Sequence, residues 1–135
     1  MQTTVVTSLI LHVLSGVFWA GSTFALARIG GNQAGHLLRP QLGAAAVTMG
    51  TGTLLWYLLH QSGAGLSEHI LATGAFFALI AAGVQAGTAF AVRQVFAGAR
   101  HLQNARSENR AATGQRIAAG CLAVTVICMA AFRYV

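Results

Sequence analysis

The sequence predicts an all-α integral membrane protein: a four-helix antiparallel bundle with both termini on the side away from the cytoplasm. Only 7% of its 135 residues are charged and 56% are hydrophobic, whereas a soluble domain carries about a quarter charged residues. Four segments, about 4–28, 41–60, 68–96 and 111–133, each supply the roughly 20 apolar residues that cross the hydrocarbon. The cations are unevenly shared. Arg28, Arg39, Arg93, Arg100, Arg106, Arg110 and Arg116 flank the first and third connections, and the other side has Arg133 alone. By the positive-inside rule those two connections face the cytoplasm.

Within the first segment, Met1 to Ser8 holds no positive charge and the apolar run exceeds a signal-peptide core, so this helix is expected to be retained. The second begins at Pro40, whose missing N–H suits a helix start. Ser67 is positioned to cap the third. Connections run from Ile29 to Pro40, from Gln61 to Ser67 and, as a polar stretch, from Ala97 to Arg110. Loops this short favour antiparallel neighbours in a single transmembrane domain over 1–135. Small residues recur every fourth position at Gly83, Gly87 and Ala91 and at Gly16 and Ala20; such stripes are expected to pack the four helices together. Cys121 and Cys128 are about 10 Å apart along a helix at 1.5 Å per residue, too far for a disulfide, and read as small core residues.

The net charge of +6 comes from eight arginines against Glu68 and Glu108. Set between apolar runs, they report topology and not a nucleic-acid surface; the expected partner is the lipid bilayer. The chain has no glycine-rich phosphate loop, CxxC, CxxCH or HExxH. No carboxylate lies deep in an apolar segment to relay protons, Glu68 standing at the very edge of the third, and the pairing of His12 with Ser15 has no acid to orient it as a hydrolase would.

His12 is the most informative residue, about 10 Å inside the first apolar run. An ionisable group at that depth is a functional candidate, although a neutral histidine bonded to a neighbouring helix is an equal alternative. His12, Ser15, Trp19 and Ser22 share one helical face, expected to point inward. His60 and His69 end the second segment and begin the third, on the side toward which His12 is displaced. Imidazole ligates transition metals and haem iron, so His12, His60 and His69 are candidate metal or haem ligands. Taken singly, His60 and His69 also fit solvated helix-end residues. Met129 and Cys128, near the outer end of the fourth segment, offer soft ligands for copper(I). Arg133 is placed either to pair with haem propionates or to snorkel to the headgroups. Gln85, deep in the third segment, is expected to bond between helices. His36 and His101 fall in cytoplasmic connections.

The run from Leu11 to Arg28, with His12, Trp19, Gly21 and Arg28, resembles the first helix of small bacterial membrane proteins of the copper-resistance D family and of the HemJ-type protoporphyrinogen oxidases. The segment from Arg39 to Leu55, with its Arg-Pro start and Thr-Gly pairs, and the ending from Cys128 to Val135 are similar to theirs. The resemblance implies a multi-pass protein of the bacterial inner membrane with haem b or copper as cofactor and His12 as ligand, beside Trp19. HemJ-type proteins usually present a lysine in the third helix, and this chain has none. Two readings therefore follow. One is a haem b or copper-binding protein for electron transfer or metal handling in the outer half of the bilayer, served by a redox partner. The other is a non-catalytic subunit packed against a larger membrane complex.

Overall fold

The computed structural model describes residues 2–29, 34–59, 65–97 and 104–134, with the side chains of 2–29, 37–59, 65, 68–90, 109–132 and 134. It consists of α1 (Gln2–Ile29), α2 (Ala34–Leu59), α3 (Leu66–Ala97) and α4 (Asn104–Ala131), closed by a 3-10 turn over Phe132–Tyr134. The described residues contain no strand. All four helices are long and apolar enough to cross a membrane, which makes the chain a multi-pass membrane protein. Helices are the natural solution for such segments, because each backbone N–H and C=O must be satisfied inside the segment itself. Leu14, Val17, Phe76 and Phe90 are each more than half exposed, as a lipid-facing surface requires.

Three boundaries differ from the sequence-based expectation. Pro40 lies inside α2, which begins six residues earlier at Ala34; hydropathy alone could not see the polar first turns. Ser67 is not the cap of α3: the amides of Glu68 and His69 both reach the carbonyl of Gly65, which makes Gly65 the capping residue. The polar stretch before Arg110 is helical from Asn104 onward, so α4 runs about two turns beyond its apolar run.

The helices run antiparallel. His12 faces Thr48 while Thr23 faces Gln41, and Gly74 faces Thr125 while Gln85 faces Gln115. Both chain ends and the α2–α3 connection therefore share one end of the bundle, called here the terminal end. The α1–α2 and α3–α4 hairpins are each tightly paired, α1 also packs on α4, and α2 barely touches α3. Two glycines set the approach inside the second hairpin. A Cβ on Gly74 would lie 3.0 Å from Cys128 Cβ, and one on Gly114 would lie 2.5 Å from the Thr88 methyl.

The inward face of α3 carries Gly74, Ala78, Ala81 and Gln85, and the core joins Ala78 and Ala81 to Trp19, Ala45, Ala118 and Leu122. Gly83 and Gly87 do not pack the bundle as expected. They sit two positions from Gln85, about 200° round the helix at 100° per residue, and both are exposed, with open space where a Cβ would stand. The side chain of Ala91 lies outside the described residues. Gly16 does meet α2, its Cβ position lying 3.7 Å from the Thr48 methyl. Cys121 and Cys128 are both free and partly buried, Cys121 packing against the core.

A polar floor beneath an apolar cavity

Toward the middle of the bundle every helix contributes to one buried polar network. Trp19 Nε1–H donates to Gln85 Oε1 at 2.7 Å. Gln85 Nε2 donates to Thr23 Oγ1 at 2.9 Å and to Gln115 Oε1 at 3.4 Å. Gln41 Nε2 donates to the same two oxygens, at 2.6 and 3.5 Å, and Gln115 Nε2 returns a bond to Gln41 Oε1 at 3.4 Å. The Thr23 hydroxyl spends its proton on the Trp19 carbonyl at 2.7 Å. Thr23, Gln41 and Gln85 are fully buried, and Trp19 and Gln115 are 2% exposed. Burial without partners would be costly for each amide; together they satisfy one another with no net charge. The network bolts the two hairpins together at this level.

Nearer the terminal end the hairpins form a partly open cavity of about 660 Å³, within the usual range of small-molecule and cofactor sites. Its walls come from all four helices, and its space arises from small residues: Gly16 and Ala20 on α1, Gly52 on α2, and Ala75 and Ala78 on α3. Trp19, almost wholly buried, marks the inner end of the cavity and gives its N–H to the network below.

His12 is held in the cavity wall by its backbone neighbours. Its Nδ1 lies 2.9 Å from the Thr48 carbonyl oxygen, which can only accept, so Nδ1 carries the proton. Thr51 Oγ1 is 3.2 Å from the same nitrogen, with its own hydrogen directed at the Val47 carbonyl at 2.7 Å. Gly52 gives the ring its place: a Cβ there would stand 3.0 Å from Cε1. With Nδ1 as donor, the uncharged imidazole keeps its lone pair on Nε2, which has no partner among the described residues. The threonine hydroxyls of the wall are otherwise engaged. Thr48 serves the Ala44 carbonyl, Thr53 the Met49 carbonyl, and Thr125 the Gly74 and Cys121 carbonyls. The cavity thus offers an apolar surface with one strong electron-pair donor, His12 Nε2.

Of the residues the sequence singled out, His12, Trp19 and Met129 come together on this cavity. His69 is exposed at the start of α3 and does not line it. Its place near the helix end, not its residue type, decides this. His60 lies outside the described residues, as does the side chain of Arg133, whose backbone is in the closing 3-10 turn. Cys128 packs on Gly74 and not on the cavity. Among the described residues no three His, Cys, Asp or Glu side chains gather as a metal cluster would require. Gln85 bonds between helices as expected. Gln41, Gln115 and Thr23 were not singled out, because Gln41 and Gln115 fall in the first turns of the segments read as 41–60 and 111–133, where a polar side chain calls for no partner.

The fold and cavity define a multi-pass α-helical membrane protein with a partly open, ligand-sized cavity between its helices. No family model, curated protein or solved structure matches this chain.

Proposed function

We propose that this chain is a haem b protein of the bacterial inner membrane, serving electron transfer in the periplasmic half of the bilayer. The supporting observation is His12: its Nδ1–H is given to a backbone carbonyl, its Nε2 has no partner among the described residues, and the residue lines an apolar cavity of about 660 Å³. Haem-ligating and metal-ligating histidines characteristically donate their other ring N–H in this way, which fixes the tautomer and raises the basicity of the ligating nitrogen. The iron supplies one-electron redox chemistry when the group is bound. The chain's own residues would bind and orient it: His12 as the iron ligand, Trp19 at the inner end and Met129 as a soft donor on the same cavity. Arg133, near the end of the chain, is assigned to the propionates, a pairing arginine makes readily. His60 is the further candidate ligand at that end. The seven arginines that flank the first and third connections in the sequence support the orientation.

Copper has less support, since a single histidine and a thioether on a large apolar cavity make a poor cation cage. The accessory-subunit reading draws support from one observation, the outward-facing Gly83 and Gly87, where a partner's helix can approach closely. Co-purification of a stoichiometric partner would favour it.

The test is an absorption spectrum of the detergent-purified full chain, with and without added haemin. A Soret band in the native protein that is absent from His12→Ala is expected. Haemin uptake unchanged by His12→Ala overturns the proposal.

A further inference from the structure

The cavity and the amide network meet at one side chain. Trp19 reaches the cavity at its inner end, yet the one polar atom of its side chain, Nε1–H, is given to Gln85 Oε1 at 2.7 Å. Gln85 does not line the cavity. Its orientation is fixed from three sides, because its two amide hydrogens go to Thr23 on α1 and Gln115 on α4 while its oxygen takes the indole hydrogen. An amide so held cannot flip to offer Trp19 a second N–H.

We infer that Gln85 is a positioning residue for the cavity: by accepting the Trp19 N–H it keeps that donor turned out of the cavity, and so favours a ligand that brings an electron-pair acceptor to His12 and apolar surface to the Trp19 end. This rests on the haem reading for its ligand, a metallated planar macrocycle, and the lock itself does not. Without the Gln85 oxygen, the indole N–H would be orphaned in an apolar interior, a costly state. The indole relieves that state by tilting Nε1 toward the cavity, which places a polar hydrogen and a displaced ring where the flat ligand would lie. In the native protein the network removes that option. Of the other polar side chains on the cavity, Thr48, Thr53 and Thr125 are engaged within the protein and Trp56 carries a second indole, so among the described residues His12 supplies the one strong electron-pair donor.

The experiment uses two readouts on the full chain in detergent. Ultraviolet resonance Raman on a Trp56→Phe background, where Trp19 is the sole tryptophan of the two present, reports the hydrogen bond at the indole nitrogen. It should show a strongly bonded N–H that is lost in Gln85→Met, a substitution of similar length without the acceptor, and retained in Gln85→Glu. Haemin titration with Trp56 intact then asks whether Gln85 acts through Trp19. Gln85→Met should weaken binding about tenfold, the equivalent of one orphaned donor, whereas in a Trp19→Phe background, with no N–H to orphan, the same change should cost less than about threefold. Equal losses in both backgrounds, or an indole signature indifferent to Gln85→Met, overturn the inference. A native protein that takes up no haemin while the indole bond is still lost in Gln85→Met overturns the haem reading and leaves the lock standing.

Discussion

Thr23→Val removes one oxygen from the centre of the bundle and changes almost nothing in shape, so it measures what the network contributes to assembly. Thr23 Oγ1 accepts from Gln41 and from Gln85 and donates to the Trp19 carbonyl. The carbonyl loses little, since the helix already bonds it. The two glutamines each lose their shorter bond, 2.6 and 2.9 Å, and keep only the longer ones to Gln115, 3.5 and 3.4 Å. An unsatisfied buried donor costs about 1–3 kcal/mol, but interhelical side-chain bonds measured in a membrane bundle average about 0.6 kcal/mol, because the unfolded chain in lipid finds other partners. Two weakened donors therefore predict a loss of about 1–4 kcal/mol. Unfolding in mixed micelles by increasing SDS, followed by circular dichroism, reads this directly. Thr53→Val is the control: Thr53 is exposed, its hydroxyl serves only the Met49 carbonyl one turn back, and the change should stay within about 0.5 kcal/mol. A Thr23→Val protein as stable as the control refutes the idea that the network holds the hairpins together.

Two further substitutions separate packing from ligand binding. Gly52→Ala places a methyl 3.0 Å from His12 Cε1 and 3.4 Å from Nδ1, so the ring must shift and its bond to the Thr48 carbonyl weakens. Gain of helix propensity, about 1 kcal/mol, offsets the crowding, so SDS stability should hardly move while haemin affinity falls about 10-fold or more, as for outer-shell partners of a metal ligand; unchanged affinity would show that the ring is not held by this contact. Gly114→Ala drives a methyl to 2.5 Å from that of Thr88 and should cost about 1–3 kcal/mol by overpacking. Gly120→Ala, which meets nothing within 4 Å, should be neutral or stabilising, and the same titration compares the two.

Much of this architecture is legible in the chain, and the gaps have physical causes. Hydropathic length finds four helices, and the spacing of His12, Ser15 and Trp19 finds the inward face of α1. Gln85 stands out because an amide in the middle of an apolar run demands a partner. Gln41 and Gln115 do not, because they lie beside Arg39 and Arg116 in the first turns of the segments read as 41–60 and 111–133; the helices begin earlier, at Ala34 and Asn104, and carry both glutamines deeper inside. The outward turn of Gly83 and Gly87 is hidden for a related reason. A small-residue stripe has a spacing but no intrinsic direction, and only the inward set of Ala78, Ala81 and Gln85 fixes it. The cavity is the least legible feature. It is an absence of side-chain volume, made where Gly16, Ala20, Gly52, Ala75 and Ala78 from three helices face one space, and no single segment contains it.

Everything proposed for function converges on His12 Nε2, and chemical rescue of the His12→Gly variant tests that atom. The variant keeps the cavity, removes the imidazole and leaves room for a free one. It should bind haemin weakly with an altered Soret band, and added imidazole should restore the native spectrum, since the ligand's nitrogen and not the helix is what the iron requires. A His12→Gly protein with the native haemin spectrum before imidazole is added would contradict the assignment of His12 as the ligand.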